Sequence, residues 1–291
     1  MISQPDSGPL FDLWRLARSL IEVDGSAVRA LTEGFTVLKY LPRILLSLAV
    51  AVVVAVVLAP PMLLATLFTS SGRPGQWAGY MWSWAVAKSL GITASATGTE
   101  NVNVGQSYVV TPNHQGNADV LAIELALPIK VLWVIKKELT RIPFFGWALA
   151  RSGAICLDRS KPGEALAELL EGAGKLRGGW SLLIYPEGTR SPGVQPQPFK
   201  AGAFRLAIAA GIPILPVTIN GAHRIWPKKT LKFRPGHMTL TIGKPIPTSD
   251  MTEDDVPLLS EKTRSAILEN LIPDYDPFEP KVFEARATRR A

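Results

Sequence analysis

Between positions 44 and 72 the chain carries no charged residue, and its densest apolar part, Ile44 to Ala59, reads ILLSLAVAVVVAVVLA. A helix over those positions would reach about 24 Å, short of the roughly 30 Å hydrocarbon core of a bilayer. Pro60-Pro61 predicts an interruption, because neither residue supplies a backbone donor and each restrains the residue before it. The apolar run resumes from Met62 to Phe68. It is followed by QWAGYMWSWAVAKSL, where Trp77, Tyr80, Trp82 and Trp84 crowd together as at a membrane–water interface. Lys39 and Arg43 precede this region, and Arg73 and Lys88 follow it. Basic flanks at both ends favour a hairpin or re-entrant segment over a single span. A hydrophobic hairpin buried in a soluble protein is the alternative. Further upstream, Leu10, Leu13, Trp14, Ala17, Leu20 and Ile21 recur at helical spacing. This predicts an amphipathic helix over 10–23, either packed on the protein or lying in a membrane surface. The first ten residues lack the basic start of a cleaved signal peptide.

From about residue 95 the texture changes. SYVVTPNH, VLWVIKK, GAICLDR, SLLIYPEGTR, IPILPVTING and MTLTIGKPI read as strands with their exits. NADVLAIELAL, PGEALAELLEGAGKLR and GAFRLAIAAG alternate with them as helices, with Asn117 as a candidate N-cap and Gly211 as a stop. Residues 251–272 form a last helix, with Pro257 in its early part. This alternation predicts an α/β domain. The organisation expected is an N-terminal amphipathic and hydrophobic anchoring segment over 1–94, the α/β domain over 95–272 and a polar, flexible tail over 273–291.

Composition narrows the chemistry. The net charge of +7 favours anionic partners: nucleic acid, lipid headgroups or phosphorylated substrates. A single cysteine, Cys156, forms no disulfide within the chain, which fits a reducing compartment, and no Cys/His cluster has zinc-site spacing. Histidine chemistry must choose among His114, His223 and His237.

Four polar clusters follow strands, and in an α/β domain ligands gather outside the carboxyl ends of strands. NHQGNAD holds His114 and Asp119. Five positions apart suits contact across a strand–loop–helix junction better than along one helix, and Gly116 and Asn117 supply the turn. A carboxylate beside an imidazole fixes its tautomer, so that the other nitrogen can take a proton from a hydroxyl. YPEGTRS, residues 185–191, offers Arg190, a rigid fork of donors suited to phosphate, and Glu187, which suits that arginine or a substrate hydroxyl. KKELTRIPFFG carries Lys136, Lys137 and Arg141. GAICLDR ends on Arg159.

These blocks, in this order, resemble the glycerolipid acyltransferases of the lysophosphatidic acid acyltransferase type. NHQGNAD resembles that family's His-x-x-x-x-Asp motif. GAICLDR resembles its second block. YPEGTRS resembles its Phe-Pro-Glu-Gly-Thr-Arg-Ser block, with Tyr185 for phenylalanine. LPVTI, 215–219, resembles the fourth, with Pro216 as its proline. KKELTRIPFFG resembles the stretch between the first two, and the likeness covers roughly residues 95–245.

The resemblance implies an α/β fold with a mixed sheet flanked by helices, of the glycerol-3-phosphate acyltransferase kind, behind an N-terminal hydrophobic helical membrane anchor. It implies His114 as general base, oriented by Asp119. Arg159, Glu187 and Arg190 would bind the acceptor's phosphate and glycerol, with Gly188 and Thr189 shaping the loop. Lys137 would be a further phosphate contact, and Pro216 would shape a pocket. The implied reaction moves a fatty acyl chain from acyl-CoA or acyl-ACP to lysophosphatidic acid, giving phosphatidic acid, with no metal and no other cofactor. The implied partners are membrane lipids and these substrates, not nucleic acid. The implied location is the cytoplasmic face of a bacterial inner membrane. A different lyso-lipid acceptor is the nearest alternative, and a non-catalytic basic protein of the membrane surface is another.

Overall fold

The computed structural model describes residues 25–69, 72–157, 165–174, 176 and 179–278. The amphipathic helix expected at 10–23 lies outside them. Helix α1 runs unbroken from Gly25 to Ala65, with Pro42, Pro60 and Pro61 inside it. The break expected at Pro60-Pro61 therefore does not occur. Each proline removes only its own N–H bond, and the ladder closes again behind them, with Thr66 N–H donating to the Met62 carbonyl at 3.1 Å. The apolar part, Leu38–Ala65, has 28 residues and so reaches about 42 Å, long enough to cross a bilayer.

Helix α2, Arg73–Leu90, returns antiparallel to α1. The Trp82 indole donates to the Ala51 carbonyl at 2.9 Å. Ala59, Met62, Ala78, Val86 and Ala87 are buried. The opposite face of α1 is bare: Leu45, Leu48, Val53 and Val57 are exposed, and only 11% of the most apolar window is buried. That exposure removes the reading of a buried soluble hairpin and fits membrane association, since water-exposed apolar surface of this extent is unfavourable. Trp77, Tyr80 and Trp84 of α2 are exposed too.

Seven strands form one mixed sheet in the order β1-β7-β6-β2-β5-β3-β4. They are β1 Ile92–Thr97, β2 Val109–Pro112, β3 Val131–Lys136, β4 Ile155–Leu157, β5 Ser181–Leu183, β6 Ile214–Asn220 and β7 Gly236–Ile242. All pairs are parallel except β6 with β7. Five strands, β2 to β6, thus point their carboxyl ends to one edge. The central strands are apolar on both faces, as parallel strands between two layers must be. Val110, Leu183 and Leu215 pack toward α2 and α3 (Asp119–Ala126). Their neighbours Val109, Leu182 and Ile214 pack toward α5 (Ala165–Ala173), α6 (Gly202–Ala210) and α8 (Val256–Glu269). A short helix, α4 (Phe145–Arg151), joins β3 to β4, and another, α7 (Ala222–Ile225), follows β6.

Two expected boundaries differ. The first strand starts at Ile92, before residue 95. The stretch expected to be flexible from 273 is packed as far as Phe278: Tyr275 is 1% exposed, and the His237 N–H donates to the Pro277 carbonyl at 2.8 Å.

The hairpin docks on the domain through a close approach. A Cβ added at Gly75 would lie 2.6 Å from the Ser152 Cα at the end of α4. Gly75→Val is therefore expected to push α2 away and destabilise the protein by about 2 kcal/mol, as overpacking does. Thermal unfolding in detergent micelles checks this, and an unchanged midpoint would contradict the close contact.

Candidate active site

His114 leaves the central strand β2, flanked by β5 and β6. Asn113 fixes the exit: its side chain accepts the Ile219 N–H at 2.6 Å and donates to the Ile219 carbonyl at 3.0 Å. The His114 Nδ1 lies 2.6 Å from Asp119 Oδ2. The same oxygen accepts the N–H groups of Gln115 at 2.8 Å and Gly116 at 2.9 Å. Asp119 is the first residue of α3 and fully buried. Three donors thus hold an ionised carboxylate against Nδ1, place the ring proton there, and leave Nε2 as the acceptor. The His114 side chain keeps 13% exposure, so Nε2 can meet a ligand. Asn117 does not cap α3. Ala118 holds the N-cap position, and the Asn117 side chain donates to the Pro227 carbonyl at 3.2 Å. Asp119 folds back instead on the turn before the helix, accepting the N–H groups of Gln115 and Gly116.

The Tyr185 ring stacks on the imidazole, with centroids 3.9 Å apart. Burial pushes its phenol well above the usual value. Asp119 and Glu124 push the same way and Arg190 opposes, so the phenol stays protonated.

Glu187 is 2% exposed. Its carboxylate accepts the His114 N–H at 2.7 Å, the Gln197 N–H at 2.8 Å and the Ser191 hydroxyl. Burial raises its pKa, and those hydrogen bonds offset part of the rise. The geometry thus sets Glu187 as a brace between the loop and the histidine backbone, where the sequence suggested a ligand contact. Its oxygens are committed inward.

Gly188 has a φ of +68°, the left-handed turn glycine tolerates, with the Lys200 ammonium group beside it. Arg190 Nε donates to the Gly116 carbonyl at 3.2 Å, tying the two polar clusters together. Lys228 reaches in from beyond β6 to Thr189 Oγ1 at 2.8 Å and to the Arg190 carbonyl at 2.9 Å.

Lys137 begins a 3-10 turn at the exit of β3, on the same edge but separated from β2 by β5. Pro216 lies inside the sheet opposite Thr111, three positions before His114. Arg159 lies outside the described residues. Sequence reading missed Lys228, Ser191 and Gln197. Lys228 had a signal: GAHRIWPKK is one more strand exit on the same edge.

His237 sits on β7 between Thr93 and Ser95, each at 2.8 Å. His223 on α7 is held below its usual pKa by burial and by Arg224, against the pull of Asp119.

A cavity of about 240 Å³ lies between the hairpin, α3, β3 and α4, with Val120, the residue after Asp119, in its wall. Val120 and Glu124 of α3, Leu58 of α1 and Trp82 of α2 are among its walls. Among the described residues no group of three or more His, Cys, Asp or Glu could hold a metal ion.

A buried carboxylate–imidazole pair beside cations is an arrangement that can take a proton from a hydroxyl near an anionic group. Residues 94–220 match the family model described as Acyltransferase. It is 34% identical over 179 residues to the human 1-acyl-sn-glycerol-3-phosphate acyltransferase alpha, covering 61% of this chain and 63% of that protein. It is 35% identical over 185 residues to the Saccharomyces cerevisiae 1-acyl-sn-glycerol-3-phosphate acyltransferase, with 62% and 61% covered. Against the Pseudomonas aeruginosa protein of that name it is 37% identical over 162 residues, with 55% and 62% covered. The chain thus spans less than two thirds of the length of these curated relatives. The crystal structure of the 1-acyl-sn-glycerophosphate (LPA) acyltransferase from Thermotoga maritima shares the fold, with a TM-score of 0.63 at 24% identity, covering 79% of this chain and 97% of that one.

Proposed function

We propose that this protein transfers a fatty acyl chain from acyl-CoA or acyl-ACP to the free hydroxyl of lysophosphatidic acid, forming phosphatidic acid for phospholipid synthesis. The observation that carries the reading is the His114–Asp119 pair at 2.6 Å, tied by Arg190 to the YPEGTRS loop. His114 Nε2 takes the proton of the acceptor hydroxyl as its oxygen attacks the thioester carbonyl. The tetrahedral intermediate then expels the thiolate: the C–O bond has formed, the C–S bond breaks, and the imidazolium returns its proton to sulfur. Asp119 stabilises the imidazolium in between. The thioester is already activated, and it is a co-substrate rather than a cofactor.

Arg190 of the YPEGTRS loop, with Lys228, Lys200 and Lys137, supplies positive charge for the acceptor phosphate, and the family resemblance adds Arg159. Thr189 and Gly188 shape that loop, and Pro216 supports it from within the sheet. The acyl chain lies in the apolar cavity beside α3. The enzyme sits on the bilayer through α1, with the aromatic residues of α2 and the exposed Ile142, Phe144 and Trp147 turned to the same lipid. The basic flanks of the apolar segment and the lone cysteine support a catalytic domain on the cytoplasmic face, in bacteria that of the inner membrane.

The test is a panel of lyso-lipid acceptors with both donors and purified protein. Lysophosphatidic acid is expected to be preferred. Arg190→Ala should raise its KM about 10- to 100-fold, the loss of a charge-assisted contact, while leaving the donor KM nearly unchanged. Preference for an acceptor without a phosphate monoester would remove the acceptor assignment. A shift in donor KM alone would move Arg190 to the other substrate.

A further inference from the structure

One wall of the cavity carries a carboxyl group. Glu124 stands five residues beyond Asp119 on α3, about 7.5 Å along the helix axis. Its Oε1 accepts the Trp133 indole N–H at 2.5 Å. Its Oε2 takes no hydrogen bond among the described residues, and Glu124 is the one ionisable side chain among the residues lining the cavity. The rest of the lining is uncharged and mostly apolar, Val120, Trp82, Leu132, Phe145 and Leu149 among it. Its charge reaches the Tyr185 phenol, which stacks on His114. Val120, the residue after Asp119, and Glu124, one turn further along α3, line the same wall, so Glu124 lies within about two turns of the His114–Asp119 pair.

A plain hydrocarbon chain laid along that wall would press methylenes onto an open carboxyl oxygen. Buried polar atoms left unpaired are rare because each forfeits its bonds to water. A hydroxyl on the chain would satisfy the oxygen. Burial also raises the Glu124 pKa, so the group is readily protonated and suits a neutral hydroxyl better than an ammonium.

We propose that Glu124 selects acyl chains bearing a hydroxyl group close to the thioester. The proposal rests on the cavity being the acyl site. It is tested by binding, without any acceptor, using unreactive thioether analogues of palmitoyl-CoA and β-hydroxypalmitoyl-CoA on the full chain in detergent. The wild type is expected to bind the hydroxylated analogue about tenfold more tightly, equal to about 1.4 kcal/mol. Glu124→Leu should abolish the preference by improving binding of the plain chain, and Glu124→Gln should keep most of it.

Equal binding of the two analogues by the wild type, or binding of neither, overturns the proposal. So does a Glu124→Leu protein that loses affinity for both alike, which would assign Glu124 only to holding Trp133. A wild type that shows the preference yet fails to acylate lysophosphatidic acid would sink the acceptor assignment and leave this one standing.

Discussion

Alanine at His114 is expected to lower kcat for acyl transfer on the order of 10³-fold, the usual worth of a positioned general base. Binding of both substrates should change little. The expectation follows from the site's economy. His114 Nδ1 is occupied by Asp119, which leaves Nε2 to take the proton of the acceptor hydroxyl. Asp119 keeps the Gln115 and Gly116 N–H donors without the imidazole, and the unfolding midpoint separates loss of activity from unfolding. Turnover with a saturating thioester donor, read beside an unchanged unfolding midpoint, decides the matter. Retention of more than about a tenth of the rate would remove His114 from the chemistry. Asp119→Asn should also be severe, because a neutral amide does not stabilise the imidazolium as the carboxylate does.

Glu187→Ala is expected to damage both fold and turnover. It strands the His114 N–H, the Gln197 N–H and the Ser191 hydroxyl at once. Stranded donors cost about 1–3 kcal/mol each, and water entering the gap should hold the total near 3 kcal/mol, a fall in Tm of about 5–10 °C. The kcat should fall as well, since the His114 backbone loses its tether, whereas KM for the acceptor should move less than in Arg190→Ala. The reverse split would restore Glu187 as a ligand contact. The pH dependence carries a sign. The folded-state pKa is raised above 4.5, so the folded form binds the proton more readily than the unfolded one. Stability from this group therefore declines as pH rises from about the unfolded value through the folded one. Glu187→Gln should lack that decline.

The sheet was legible in the chain because its central strands are buried on both faces and read as unbroken apolar runs. The location of His114, Lys137 and the YPEGTRS loop at one edge followed from strands that share a direction. β1 was hidden: half of ITASAT is alanine or serine and none of it is aromatic, and it becomes a strand through its pairing with β7. The run through Pro60-Pro61 was hidden for a different reason. A proline pair weakens a helix locally, but whether the helix ends there depends on the donors that follow. The role of Glu187 lay beyond sequence, because a carboxylate that binds a ligand and one that binds three internal donors have the same letter. Lys228 was legible in principle, being one more cation after one more strand.

The walls of the cavity come from both parts of the molecule. Leu58, Ala59 and Met62 of α1 and Gly79, Trp82 and Ser83 of α2 face residues of α3, β3 and α4 across it. Cutting away the apolar hairpin to obtain a water-soluble catalytic fragment would therefore unroof the site. The lipid-facing helices of this protein are not a removable tether, and its smallest working unit includes them.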